Sequence, residues 1–237
     1  AHAYQRHADV VLRGYSGYNS TMILERIDSI LVGVPRVLHL CVICLGANDA
    51  AIVDGGTNNH VDVETYTENL QQLILLMKER GTQHIVLMTP PFVDLDKHDG
   101  STPVRTAKET ALYADVILRL AIQEGVHSID LFSTTNSSDL VDGLHFNSKG
   151  NKHVYKQLEA LISDQIPDMD IVNIEIDNPD WKDICKPDPA VVATMLRTSW
   201  VGSQQETSQV PSDEKTNRDE YQNSSKVSSS PPQMARS

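Results

Sequence analysis

The sequence predicts an α/β fold in which helices cover both faces of a parallel β-sheet. Short apolar runs alternate with longer segments of helical periodicity, and each run is β-branched or almost continuously apolar, as expected of strands buried on both faces. The strand candidates are DVVLRGY from Asp9, VLHLCVICL from Val37, HIVLMTP from His84 and VHSIDLF from Val126. Ligands of such sheets bind beyond the carboxyl ends of the strands, so we expect functional residues to follow strands.

Three helices are predicted between and after these strands. Val63 to Arg80 carries apolar residues at helical spacing and is followed by Gly81, a favourable C-terminal stop. Arg105 to Glu124 repeats the pattern and ends before Gly125. The last helix of the sheet domain runs from its predicted N-cap, Asn147, to about Ser163.

The composition divides the chain into a domain, an extension and a tail. Residues 1–165 contain all the predicted strands and helices, which suits one domain with a proper core. Residues 166–200 hold both tryptophans and several prolines, enough apolar surface to pack on the domain as a C-terminal extension. Residues 201–237 are rich in Ser and Gln with little to bury, which predicts disorder.

Charge and hydropathy exclude two classes of partner. The net charge is −12 and no cluster of Lys and Arg occurs, so nucleic acid is not an expected partner. The longest apolar run, from Val37 to Ala47, is about half the length that crosses a bilayer, so we expect no membrane span. Of three cysteines, Cys41 and Cys44 lie in a predicted strand, which predicts core positions and a reducing, cytoplasmic compartment.

Three short polar segments lie where the fold predicts a functional edge. They are RGYSGYN (Arg13 to Asn19), LGANDA (Leu45 to Ala50) and DGLH (Asp142 to His145). The first two follow strands and the third precedes the last helix, so all three are expected to meet at one edge of the sheet.

Each segment taken alone also has a purely structural explanation. Gly14 and Gly17 permit a tight turn, and Asn48 and Asp49 readily bond to their own backbone. A His three residues after an Asp often forms only a local hydrogen bond. Their combination is therefore what favours a catalytic site.

Together the segments resemble blocks two, three and five of the SGNH, or GDSL-type, hydrolase family, in the same order and spacing. The isoamyl acetate-hydrolysing esterase branch is the most similar, because it also shows TPP after the next strand, here Thr89 to Pro91, and more loosely NPDW, Asn178 to Trp181. The resemblance covers residues 1 to about 165. It implies a flavodoxin-like three-layer sandwich, the SGNH hydrolase fold.

The resemblance also implies a role for four residues. Gly17, through its backbone N–H, and Asn48, through its side-chain amide, would form the oxyanion hole. His145 would be the general base and Asp142 would orient it. The implied reaction is hydrolysis of a small-molecule ester such as isoamyl acetate through a serine acyl-enzyme, without metal or organic cofactor.

One block of the family pattern is missing from the sequence. The family carries its nucleophilic Ser in a GDS-type stretch after the first strand, upstream of the Gly17 block, and no such stretch occurs. We therefore expect an N-terminally truncated, inactive member. Ser16 and Ser20 are the hydroxyls within reach, and neither is expected to replace the nucleophile. The strands from Asp9 and Val37 should then either pair directly or leave a gap with exposed apolar edges.

Two other functions compete with an esterase. The absent Ser favours a non-catalytic interaction module, whereas the intact set of Gly17, Asn48, Asp142 and His145 favours the enzyme. A nucleotide-binding domain is disfavoured because no glycine-rich phosphate loop follows any strand.

Overall fold

Three parallel strands form a single sheet in the part of the chain that the structure describes. The computed structural model describes residues 2–52, 59–98, 100, 104–176 and 181–185. Within them the strand order is β1-β2-β3, with both pairings parallel. The strands are β1 (Leu40–Cys44), β2 (His84–Met88) and β3 (His127–Ile129). The predicted parallel α/β fold is confirmed, and the strands predicted from Val37, His84 and Val126 are present.

A helix follows each strand, and long helices pack on both faces of the sheet. In the described ranges they are α1 (Ser20–Glu25), α2 (Ile27–Ile30), α3 (Val63–Glu79), α4 (Ala107–Glu124), α5 (Leu131–Thr134), α6 (Ser148–Gln165) and α7 (Trp181–Ile184). Helix α7 belongs to a second unit of the chain, which begins at residue 179.

The long helices begin at side-chain caps. The Asp62 carboxylate accepts a hydrogen bond from the N–H of Thr65 ahead of α3. Thr106 caps α4 in the same way. This helix therefore begins at Ala107, whereas the sequence predicted a start at Arg105. Asn147 caps α6 as predicted, by accepting from the N–H groups of Lys149 and Gly150.

Two apolar clusters hold helices against opposite faces of the sheet. On one face, Ile85 and Leu87 of β2 pack with buried side chains of α3 and α4. On the other face, Val86 and Met88 pack with Ile129 and with buried side chains of α6. Alternation along a strand sends successive side chains to opposite faces, which is why β2 serves both clusters. The predicted three-layer sandwich is confirmed.

The strand predicted from Asp9 does not form. Residues 8–15 have no regular secondary structure, and Leu12 is 77% exposed. Among the described residues β1 pairs with β2 alone, so this segment has no neighbouring strand with which to form a ladder. Of the two expected outcomes, the gap with exposed apolar residues is the one observed.

The same gap explains why one cysteine is not in the core. Val42 is 40% exposed and Cys44 is exposed, although both lie in β1. Cys41, on the other face of β1, is half-buried and packs against the α3–α4 cluster. The prediction of a core position was therefore wrong for Cys44, because that face of the edge strand is incompletely covered.

The chain after α6 folds back on the domain for a short distance. Ile166 and Met169 are buried in the second cluster, and the Tyr4 hydroxyl donates to the carbonyl of Met169 at 2.8 Å. The tail predicted for 201–237 lies outside the described residues, as do 186–200 of the predicted extension and most of the NPDW segment. Within the described ranges, no helix combines the length and the apolar content needed to cross a bilayer.

Candidate active site

The turn after β1 carries Asn48 and is fixed by a glycine. Gly46 has φ +112°, and a Cβ at this position would lie 2.7 Å from the Tyr66 hydroxyl oxygen. That hydroxyl donates to the carbonyl of Leu45 at 3.0 Å. The backbone therefore turns where a side chain does not fit, and places Asn48 directly beyond the carboxyl end of the strand.

Both ends of the Asn48 side chain are engaged. Its Nδ2 donates to the backbone carbonyl of Tyr18 at 2.8 Å, and its Oδ1 accepts from Nη2 of Arg105 at 2.8 Å. The amide is half-buried. Asn48 thus contacts the residue next to Gly17, which brings together the two predicted oxyanion-hole residues.

Gly17 lies in a turn with left-handed backbone geometry. Its φ is +79°, and a Cβ would meet no atom within 4 Å, so the backbone angle rather than space favours glycine. Its carbonyl accepts from Nδ2 of Asn59 at 3.2 Å. Tyr15 and Tyr18 flank Gly17 in the sequence, and their rings stack on each other with centroids 5.2 Å apart.

Asp49, next to Asn48, is a structural residue of the same turn. It is fully buried, and its Oδ1 accepts from the N–H of Ser20 at 2.8 Å. Burial raises the pKa of Asp49, and the hydrogen bonds from Ser20 oppose that shift. The Ser20 hydroxyl in turn accepts from Nδ2 of Asn69 at 3.0 Å, so Ser20 is held inside the fold.

Asp142 and His145 form a hydrogen-bonded pair. Nδ1 of His145 lies 2.7 Å from Oδ2 of Asp142, while Oδ1 accepts from the N–H groups of His145 at 2.8 Å and Leu144 at 3.0 Å. The Asp142 side chain is 20% exposed and that of His145 is 60% exposed. Burial acts to raise the pKa of Asp142, but the hydrogen bonds from His145 and Leu144 outweigh it and hold the pKa well below its ordinary value.

The loop that carries this pair is clamped at Gly143. The residue has φ +85°, and a Cβ there would collide with the backbone carbonyl oxygen of Asp94. Its own carbonyl accepts from the N–H of Asp94 at 2.8 Å, and the N–H of Val141 donates to the carbonyl of His145 at 2.8 Å. The loop is therefore short, closed and fixed against the segment that follows β2.

Arg105 is a further polar residue at the Asn48 turn. Besides contacting Asn48 and the carbonyl of Ala47, it lines a cavity together with Gly143 and Leu144. Arg105 is only 5% exposed. The sequence prediction missed it, because a single Arg at the start of a predicted helix is normally an exposed residue and carries no motif.

The serine candidates do not contact the His145–Asp142 pair. Ser20 is buried and held by the hydrogen bonds described above, whereas Ser16 is exposed. In the part of the chain that the structure describes, no hydroxyl forms a hydrogen bond with His145. Within the same residues, no group of three His, Cys, Asp or Glu side chains is arranged to hold a metal ion.

Comparison with known proteins identifies the family. Residues 1–153 match the GDSL-like lipase/acylhydrolase family. A GDSL esterase/lipase of Arabidopsis thaliana is 34% identical over 182 residues, which cover 68% of this chain and 75% of that protein. The isoamyl acetate-hydrolyzing esterase of Saccharomyces cerevisiae is 29% identical over 195 residues, covering 76% and 80%.

The fold agrees with a solved structure of an ester hydrolase. An acetylxylan esterase from Geobacillus stearothermophilus superposes with a TM-score of 0.54 at 21% identity, over 65% of this chain and 71% of that one. At this identity the similarity concerns the fold alone. The sequence matches carry the assignment: the chain belongs to the GDSL-like lipase/acylhydrolase family, whose members are hydrolases that act on ester bonds.

Proposed function

We propose that this protein hydrolyses small carboxylic esters such as isoamyl acetate, with His145 as general base. The observation that carries the proposal is the His145–Asp142 pair, in which a largely exposed imidazole is bonded at Nδ1 to a carboxylate of lowered pKa. A carboxylate in this position fixes the tautomer of the imidazole and stabilises its cation. It leaves Nε2 for proton transfer.

The proposed reaction has two steps. In the first, a nucleophilic hydroxyl attacks the ester carbonyl carbon while its proton passes to Nε2 of His145. Negative charge develops on the carbonyl oxygen and is stabilised by the N–H of Gly17 and the Nδ2 of Asn48. His145 then protonates the departing alcohol. In the second step water, deprotonated by His145, attacks the acyl group and releases the acid and the free hydroxyl.

Related proteins agree with the proposed reaction and with the spacing of the Asp142–His145 pair. The yeast relative is described as an isoamyl acetate-hydrolyzing esterase. The Geobacillus acetylxylan esterase has been solved as catalytic mutants of a Ser, an Asp and a His, the last two being three positions apart. Asp142 and His145 have the same separation.

We also propose that the nucleophile is not among these 237 residues. Ser20 is excluded because its hydroxyl and N–H are both engaged inside the fold. Ser16 belongs to the turn that holds Gly17, and no contact joins it to His145. Loss of the nucleophile from a triad enzyme lowers turnover by about 10⁶-fold, so the 237-residue chain alone should be inactive.

Hydrolysis of p-nitrophenyl acetate and isoamyl acetate tests both parts of the proposal. The rates are compared for the protein isolated from the organism that makes it and for the 237-residue chain. We expect turnover by the isolated protein and none above background by the chain. Turnover by the 237-residue chain would refute the assignment of the nucleophile, and loss of that turnover in Ser16→Ala would identify Ser16 as the nucleophile.

A variant of His145 tests the proposed base. His145→Ala in the active protein should reduce kcat by about 10⁴-fold or more while the melting temperature stays within about 2 °C. His39→Ala is the matched control, because His39 is exposed and precedes β1, at the opposite end of the strand from Asn48. An equal kcat for His145→Ala and His39→Ala would exclude the mechanism.

The competing proposal is a non-catalytic interaction module. The observation in its favour is that no hydroxyl of the described residues contacts His145. This proposal replaces the esterase if the isolated protein is folded but hydrolyses none of a panel of acetate and butyrate esters.

We further propose a cytoplasmic location. Cys41, Cys44 and Cys185 are free thiols in the described residues, which suits a reducing compartment. Fractionation of cells that express the tagged protein tests this, and recovery in the medium would contradict it.

A further inference from the structure

Arg105 is a buried cation that the proposed mechanism does not use. It lies two residues before α4 and is 5% exposed. Its Nε donates to the carbonyl of Ala47 and its Nη2 donates to Oδ1 of Asn48 at 2.8 Å. A cation is rarely buried unless its donors are matched to acceptors. The carbonyl of Ala47 and Oδ1 of Asn48 are therefore acceptors on which the burial of Arg105 depends.

The contact with Arg105 determines which way the Asn48 carboxamide points. Oδ1 faces the guanidinium, and Nδ2 donates to the carbonyl of Tyr18 at 2.8 Å. A flipped amide would set NH₂ against the guanidinium donors and Oδ1 against a carbonyl oxygen, two repulsive contacts. The observed orientation is therefore strongly favoured, and it depends on Arg105 at one end.

An orientation fixed in this way leaves one N–H for a ligand. A carboxamide nitrogen has two hydrogens, and Tyr18 accepts one of them. A charge-assisted hydrogen bond to Oδ1 also polarises the amide, which strengthens its remaining N–H as a donor. An oxyanion hole requires a donor of this kind, fixed before charge develops.

We infer that Arg105 is a positioning residue, which holds the Asn48 amide so that Nδ2 donates to the oxyanion of the reacting ester. The inference rests on the proposed esterase function. Arg105 also lines a small cavity together with Gly143 and Leu144, the two residues between Asp142 and His145 in the sequence.

A double-mutant cycle in the active protein tests the inference. Arg105→Met should lower kcat by about 10²-fold with less than about threefold change in KM, because only transition-state stabilisation is lost. Arg105→Lys, which keeps the charge but offers one donor group, should fall between parent and Arg105→Met. Arg119→Met is the control, since Arg119 is an exposed residue of α4.

The coupling between the two side chains decides the outcome. If Arg105 acts through Asn48, Arg105→Met in an Asn48→Ala background should lower kcat by less than about threefold further. Losses that multiply, to about 10⁴-fold in the double variant, would show that Arg105 acts independently and would overturn the inference.

A measurement that needs no activity separates this inference from the proposed function. In the parent, the Asn48 side-chain NH₂ protons should give nuclear Overhauser effects to the backbone of Tyr18, and these should weaken or vanish in Arg105→Met. Unchanged effects in a folded Arg105→Met protein would refute the positioning role, and Arg105→Lys should give effects between those of the parent and Arg105→Met. If the parent hydrolyses no ester but the effects change as expected, the function fails while the positioning role stands.

Discussion

At the scale of single residues, the site depends on polar groups that restrain one another. Asp142 accepts three hydrogen bonds, and Asn48 is held at both ends of its amide. The roles of Gly17, Asn48, Asp142 and His145 can be proposed from sequence because short blocks of neighbouring residues carry them. Arg105 cannot, since its contact with Asn48 joins positions 57 residues apart and depends on how α4 packs.

Replacing Asp142 should make stability less sensitive to acid. Because the folded pKa of Asp142 is lowered, its contribution is complete above its ordinary pKa of about 3.9 and is lost as pH falls toward the lowered value. Asp142→Asn should therefore cost about 1–3 kcal/mol in the free energy of unfolding at pH 7 and much less near pH 2. Urea unfolding at pH 7, 5, 3 and 2 measures the difference.

The matched control for this variant is Asp115→Asn on the exposed surface of α4. It should leave the free energy of unfolding nearly unchanged at each pH. A stability difference for Asp142→Asn that is constant from pH 7 to pH 2 would contradict the hydrogen bonds assigned to the Asp142 carboxylate.

At the scale of elements, strands were predictable where they have neighbours. β1, β2 and β3 pair in register, and their sequences are sufficiently apolar to identify them. The segment from Asp9 has the same local pattern, yet forms no strand. A strand is stabilised by its ladder partner, and a local pattern contains no information about whether that partner is present.

The turn between β1 and α3 is expected to tolerate no side chain at Gly46. Gly46→Ala combines a φ of +112° with a contact of 2.7 Å to the Tyr66 hydroxyl oxygen, so it should destabilise the protein by about 2–4 kcal/mol. It should also displace Asn48. Gly14→Ala is the matched control, because its Cβ would meet no atom within 4 Å and its φ is not positive.

Thermal and urea unfolding of the two glycine variants measure this prediction. Gly14→Ala should unfold within about 0.5 kcal/mol of the parent. Equal stability of Gly46→Ala and Gly14→Ala would show that the turn is not constrained as described.

At the scale of the whole molecule, the described sheet has an incompletely covered edge. β1 pairs with β2 on one side, and Val42 and Cys44 are exposed, as are the apolar residues Val10 to Leu12. Exposed strand edges and apolar patches promote association. The composition predicts one domain but does not locate its exposed apolar surface. The structure places part of that surface on β1, the strand that leads to Asn48.

Charge on this edge should suppress self-association of the 237-residue chain. Val42→Lys should raise the protein concentration at which oligomers form by about tenfold, equivalent to about 1.4 kcal/mol. Sedimentation velocity over a concentration series measures it. Ile122→Lys, at another exposed apolar position, on α4, is the control, and an identical shift for both variants would argue against a role of the edge.

The measurement that tests the esterase mechanism most directly is covalent labelling with a fluorophosphonate, followed by peptide mapping. The isolated protein should form one serine phosphonate with release of fluoride, and His145→Ala should label at least about 10³-fold more slowly. Labelling at an equal rate in His145→Ala, or labelling located on Ser20, would contradict the assigned base and the site built around it.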